Sequence, residues 1–503
     1  MKKLFGVILL LVPGFAYGQT WGNPASYYSI WNSLSAAQVA DVQTCTYSYD
    51  YGPIINAALN TYGAVFLPKG CYKINEPIHL TNQVLYGAGA AQTIVQSSDT
   101  VATDPIVYMG GKAKIEDMEL SYPSTSLTGT ETIGQRVGVE TYDPTSNLAL
   151  QRGGRIQNLY IYYVGTGIYD PPTESMFSVS VQNLEIQDYS YRGIDAEGAD
   201  QTGSVWSNIY INDYTGSLFF PNNVDAGFVF GQCTAWGAVN NTGVSEVSID
   251  QLNVEWSEFS TAVRFCGVEG VHAGTIHLEE DVLRNNYSGA VQWNSSVGSI
   301  GSLTLLYMPI NVTGWEIFQI GDSNFPPGNA AGNTLAKLTV GNLFVSGLND
   351  GQLATTHGLS SGQYTLAFRP TGVTGPFTVD IKNYVWSTFQ SDSTYYVNPA
   401  NDPHGEIFMV PEINGINLVP TVSACGTSPV VASGSTAFSG KVTVGSGGTT
   451  CIITFPGSGF PSNANGTVVD QAGSVPAFSI TKTGVNISSA IAGHTYSWDL
   501  AGN

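Results

Sequence analysis

The sequence predicts an all-β protein: a right-handed parallel β-helix with an N-terminal cap and a small C-terminal antiparallel β-domain. A short pattern recurs at near-fixed spacing, as Asn158-Leu159-Tyr160-Ile161, Asn183-Leu184-Glu185-Ile186 and Asn208-Ile209-Tyr210-Ile211, each copy starting 25 residues after the last. Gln251-Leu252-Asn253-Val254, Thr275-Ile276-His277-Leu278 and Ser302-Leu303-Thr304-Leu305 continue it at offsets of 43, 24 and 27. Asp117-Met118-Glu119-Leu120 and Asn342-Leu343-Phe344-Val345 flank the series. A period in the twenties marks a solenoid. Within each copy apolar and polar residues alternate, the side-chain period of a strand. Leucine-rich repeats share the length but need several leucines per copy, and these copies have one alternating pair.

Composition agrees. The chain has 58 glycines, 27 tyrosines and only 11% charged residues, and its Asn, Ser and Thr turns outnumber helical patterns. At 503 residues it can bury a large core, and two or three domains are expected. A net charge of −21 argues against a nucleic-acid partner, since phosphate binding relies on a basic surface.

Residues 1–18 have two lysines, an apolar run from Leu4 to Ala16 and then small residues, the order of a bacterial secretion signal with cleavage near Gly18. That run is short for a membrane span, and no later window offers eighteen uninterrupted apolar residues, so no span and a soluble mature chain are expected. Residues 19–62 read as a head with two helices, Ser33 to Val42 and Pro53 to Tyr62, the second stopped by Gly63. A cap is needed because an open first coil would expose its apolar interior and strand edges. Residues 63–422 hold the coils. Offsets of 40 to 43 imply coils carrying a looped insertion of roughly 15 to 20 residues. The stacked Asn158, Asn183 and Asn208 would occupy one turn, bonding to each other or to backbone. Phe377 to Trp386 and Glu406 to Leu418 still alternate, and residues 423–503 change to short strands separated by Gly and Ser.

Six cysteines in an exported chain allow three disulfides. Cys45 and Cys71 bracket the capping passage, and Cys425 and Cys451 lie in the C-terminal domain. Cys233 and Cys266 read equally as a disulfide or as two buried thiols. Neither a Cys-x-x-Cys nor a His-x-x-x-His cluster occurs, so neither metal nor other cofactor is expected.

The run Asp50 to Leu59, then Val65-Phe66-Leu67-Pro68-Lys69-Gly70-Cys71-Tyr72 and Gly87-Ala88-Gly89, resembles the start of the pectate-lyase superfamily domain, found in phage tailspikes and secreted polysaccharide-degrading enzymes. Together with the repeats, the resemblance covers about Thr44 to Leu348. It implies a right-handed β-helix whose short helix caps the first coil, and it leaves the reaction open. The C-terminal segment resembles the terminal domain of phage tailspike and tail-fibre proteins.

Inward side chains of a solenoid fill its core, so chemistry belongs to outward positions. With Leu159, Leu184, Ile209, Leu252 and Ile276 inward, one outward row is Tyr160, Glu185, Tyr210, Asn253 and His277. Another, two residues on, is Tyr162, Gln187, Asn212, Glu255 and Glu279. Tyrosine faces stack on sugar rings, and amides and acids bond their hydroxyls. Tyr160, Tyr162, Tyr210, Asn253 and His277 are therefore candidate substrate contacts. Glu255 and Glu279 fall on adjacent strands about 4.8 Å apart, where like charges raise one pKa and leave an acid and a base. Glu258, Glu280 and Asp281 are alternatives that would make a wider pair. Carboxyls roughly 5 to 5.5 Å apart suit a retaining glycosidase, and roughly 6.5 to 9.5 Å an inverting one. Outward acids are otherwise solvated or bind adventitious calcium, and Arg155, Arg192, Arg264 and Arg284 read as surface ion-pair partners, or in a lyase as groups of which one neutralises a uronate or acts as base.

Three functions fit these expectations. One is a homotrimeric phage tailspike, located in the virion tail with tail or baseplate partners, that binds and depolymerises a bacterial surface polysaccharide. Another is an extracellular bacterial lyase or hydrolase, and the last is a fibre that binds glycan without cutting it. The leader favours the second and the C-terminal resemblance the first.

Overall fold

The computed structural model describes residues 27–98, 101–198, 202–213, 225–231, 246–255, 258–259, 261–279, 282–283, 289–294, 296–306, 316–320, 336–346, 365–370, 377–387, 394–397, 405–409, 420–432, 435, 439–455, 465–481 and 483–501. Residues 1–18, read as a leader from the sequence, lie outside them, as do Cys233, Glu280, Asp281 and Arg284. So does most of the insertion expected between Asn212 and Val247.

The chain is a right-handed parallel β-helix of three faces. On these faces each strand pairs in parallel with the coil before and the coil after; a small antiparallel pair, Tyr142–Asp143 with Leu148–Ala149, lies beside them. The first face runs through Ala64–Leu67, Val84–Gly87, Lys114–Ser121, Arg155–Asp170, Ser180–Ala196, Ser204–Asn212, Val247–Glu255 and Val271–Glu279, and on to Gly405–Met409. Several of these strands turn a corner and continue onto the second face. Asp117, Asn158, Asn183 and Asn208 each take φ between 51° and 59° at that corner. Asn and Asp tolerate this left-handed conformation because their short polar side chains bond locally. The expected asparagine stack forms: Asn158 Nδ2 donates to Asp117 Oδ1 at 2.7 Å, Asn183 to Asn158 Oδ1 at 2.8 Å, and Asn208 to Asn183 Oδ1 at 3.0 Å. In register, Gln251, Thr275, Ser302, Asn342 and Asn383 extend the column.

The third face comprises Ile78–Thr81, Val107–Gly110, Val137–Glu140, the ends of the two longest strands, Ala226–Gly231, Thr261–Cys266 and Gly289–Asn294, and continues to Thr394–Val397. Its entry corner is tight. A Cβ on Gly167 would stand 2.5 Å from Ile186 Cδ1 and 2.6 Å from the Gly193 carbonyl. The inward markers are buried as expected, from Leu159 and Leu252 at 0% to Leu184 and Ile209 at 1% exposure. An aromatic column of Trp206, Phe228, Phe230, Phe265 and Trp293 fills the middle coils.

At the N-terminal end a 3₁₀ turn, Ile30–Ser33, precedes a helix over Ala36–Thr44, so the first helix starts later than its expected Ser33. The reason is Ser35, whose hydroxyl and Gln38 form a capping box. The second helix, Gly52–Tyr62, ends on Gly63 at φ 72° as expected. Cys45 and Cys71 are disulfide-bonded, tying the first helix to the strand Gly70–Ile74. Cys266 is also disulfide-bonded.

At the C-terminal end two four-stranded antiparallel sheets pair Thr421–Ser423, Cys451–Thr454, Gly484–Ile487 and Phe478–Thr481, and Val430–Val431, Ser439–Thr443, Thr495–Ala501 and Asn465–Asp470. They enclose their own core of Val442, Ile453, Val485, Tyr496 and Trp498, and the Cys425–Cys451 disulfide closes it. Among the described residues no helix is long and apolar enough to cross a membrane.

Candidate active site

The second face presents both outward rows in the expected register. Tyr160 pairs with Glu185, Glu185 with Tyr210, Tyr210 with Asn253 and Asn253 with His277, while Tyr162, Gln187, Asn212, Glu255 and Glu279 follow one another beside them. All are half-buried. Glu119 extends the first row by one coil. Carboxylates and phenols thus alternate along the axis from Glu119 to Tyr210.

Glu255 and Glu279 are direct neighbours across two coils, and with His277 they offer donor atoms that all lie within 4.8 Å of one another. Each acid has its own partner. Tyr210 Oη donates to Glu255 Oε2 at 2.7 Å, and Asn212 Nδ2 donates to Tyr210 Oη at 3.0 Å. His277 Nε2 stands 2.9 Å from Glu279 Oε2 on its own strand. Burial pushes the Glu255 carboxyl above the ordinary range, the Tyr210 hydroxyl pulls it back, and the Glu279 charge pushes it up again. Burial and the bond to Glu255 push the Tyr210 phenol up to about 12. Tyr160 and Tyr162 meet edge to face at 6.0 Å, and the charge of Glu185 raises the Tyr160 phenol above its usual value.

The candidates therefore divide. Glu255, Glu279, His277 and Tyr210 come together, Asn253 lies in register between Tyr210 and His277, and Tyr160 and Tyr162 lie two coils from Tyr210. Glu280 and Asp281 fall outside the described residues. Glu258 belongs to a short strand, Glu258–Phe259, that pairs with Val282–Leu283.

A second charged locus sits outward on the third face, where no repeat pattern marked it. Arg192 is not the surface arginine its sequence context suggested: at 1% exposure it meets Glu197 at 2.6 Å, Asp225 at 2.7 Å and Asp195 at 3.0 Å. Arg264 meets both oxygens of the same Asp225 at 2.9 Å. Burial raises the Asp195 carboxyl against the pull of Arg192. Nearby Glu140 is pushed up to about 8 by burial and by the charges of Asp170, Asp104 and Glu174. Arg155 conforms to expectation, half-exposed at 3.7 Å from Glu116.

No family model and no curated protein matches the sequence. Solved structures similar to it include the catalytic unit of a thermostable GH87 alpha-1,3-glucanase from Streptomyces thermodiastaticus strain HF3-3, at 14% identity and TM-score 0.44 over 78% of this chain and 70% of that one. ORF18 of Geobacillus virus E2 gives 11% identity and TM-score 0.42 over 86% and 74%. The A-module of the Azotobacter vinelandii mannuronan C-5 epimerase AlgE4 gives 13% and 0.37 over 76% and 100%. These likenesses concern chain path, and no residue role transfers from them.

Proposed function

We propose that the chain is a tailspike-like depolymerase that binds an extended bacterial surface polysaccharide along the second face and cleaves it with Glu255 and Glu279. The observation that carries this reading is the close approach of the two carboxyls on adjacent coils, within 4.8 Å, inside a stripe of tyrosines and amides. That separation fits the retaining spacing better than the inverting one. Glu255, with its raised pKa, protonates the glycosidic oxygen. Glu279, held by His277, attacks the anomeric carbon, and the leaving chain departs. Glu255 then takes a proton from water as the glycosyl ester is hydrolysed. Tyr160, Tyr162 and Asn253 seat sugars on the cap side of the cut. The C-terminal sheets serve trimer assembly. The leader-like start favours a second reading, a secreted bacterial enzyme with the same site.

The purified chain is incubated with a panel of capsular and lipopolysaccharide glycans, following polymer size, product anomeric configuration and chain ends. Glu255→Gln and Glu279→Gln are expected to lower the rate by about 10²–10⁴-fold. Retained configuration supports the pair. Unsaturated ends reassign the reaction to a lyase, and binding without shortening makes the chain a receptor-binding fibre. Cleavage that survives both substitutions overturns the assignment of Glu255 and Glu279. A trimer in light scattering supports the tailspike reading, and a monomer supports the secreted enzyme.

A further inference from the structure

The two acids and the imidazole form a donor set that the hydrolytic reading does not exhaust. His277 and Glu279 alternate on one strand and so leave the sheet on the same side, and Glu255 reaches the same point from the preceding coil. The triangle is built on paired strands, which hold its base rigid. Two ligands of a tetrahedral zinc ion stand roughly 3.3 Å apart, from bond lengths of about 2.0–2.1 Å. His277 Nε2 and Glu279 Oε2, at 2.9 Å, are already near that spacing. All three donors lie within 4.8 Å, so a small side-chain rotation of Glu255 completes the set.

We propose that Glu255, His277 and Glu279 chelate one divalent cation of the zinc class, and that a bound ion shuts off cleavage by occupying both carboxylates. The site is independent of the proposed hydrolysis; only the inhibition rests on that reading. One imidazole nitrogen and two carboxylate oxygens favour zinc over calcium or magnesium, which take oxygen ligands alone. An outer shell is present: Tyr210 holds one oxygen of Glu255, and Asn212 holds Tyr210. His277 and Glu279 keep 23% and 29% of their side-chain surface in solvent, so an ion has a path in and a fourth position for water. The sequence hides this site because its ligands are 22 and 2 residues apart, on two coils, and match no local metal spacing.

The test is equilibrium dialysis of the full, tag-free chain, stripped with EDTA, against Zn²⁺ alone and Ca²⁺ alone. One zinc per chain is expected, with calcium not retained under the same conditions. His277→Ala, His277→Gln and Glu279→Gln should lose stoichiometric uptake, and Tyr210→Phe should weaken it by about tenfold. Circular dichroism confirms that each variant is folded, and the two His277 variants guard against a local collapse in one of them. No stoichiometric uptake by wild type, or undiminished uptake by the folded His277 variants, overturns the site. On a glycan that the chain cuts, zinc should stop shortening and EDTA should restore it; undiminished cleavage by the zinc-loaded protein overturns the inhibition. If no glycan is cut, the hydrolytic reading and the inhibition fall together, and dialysis still decides the metal site.

Discussion

Tyr210 is placed to tune Glu255, because its hydroxyl stabilises the charged form of the acid it bonds. Removing that donor raises the Glu255 pKa. A general acid works while protonated, so Tyr210→Phe should carry the alkaline limb of the pH–rate profile to higher pH. A limb that stays in place would remove Glu255 from the acid's role. At the third face, Arg192→Met strands Asp195 and Glu197, both at 0% exposure, and should cost about 3–5 kcal/mol in urea unfolding. Burial already raises the Asp195 carboxyl, and without Arg192 it holds its proton where the unfolded chain has released it, so the loss should be greater at pH 8 than at pH 5. Residue by residue, the sequence disclosed what strand alternation controls. Glu255 and Glu279 were legible as neighbours because the long insertion lies outside their strands. The pairing of His277 with its own strand's Glu279, and of Tyr210 with Glu255, depends on rotamers that alternation does not specify.

The corner made by Asn158, Asn183 and Asn208 couples a backbone conformation to a column of amides. Asn183→Ala loses the left-handed preference and the amide bonds above and below. Asn183→Gly keeps the conformation and loses only the amide. The alanine variant should therefore be the less stable of the two, with each variant costing about 1–3 kcal/mol. Equal losses would mean the conformation contributes nothing. In the cap, burial pulls the Asp41 carboxyl upward, but bonds from Thr46, Ser48 and Tyr51 outweigh it and bring it down to about 2. Its stabilising effect is complete above the unfolded pKa and fades as pH falls towards 2. Melting of the wild type should drop across that window, and Asp41→Asn should flatten the drop. These elements were legible in outline. The asparagine column follows from spacing, but strands that pass through a corner without breaking do not, since a single left-handed residue bends the chain without interrupting its pairing.

Across the whole molecule, the solenoid was legible because its coils repeat and its core alternates, whereas the third face was not, because Arg192, Asp225 and Arg264 follow no period. Their mutual ion pairs join residues 33 and 39 apart in the chain, a spacing that no local pattern announces. The anionic surface, at −21, is a property of composition and needs no fold to be read. The placement of two of the disulfides has one further consequence. A stacked column ordinarily frays from its ends, where a terminal coil has a neighbour on one side only. Here Cys45–Cys71 staples the leading end, and Cys425–Cys451 holds the loop after Thr421–Ser423 to the strand Cys451–Thr454 within the C-terminal domain. With unravelling from the first coil resisted by its staple, a protease or a pulling force would be diverted to coils further along the chain, and the first cuts should leave the cap and its first coil joined.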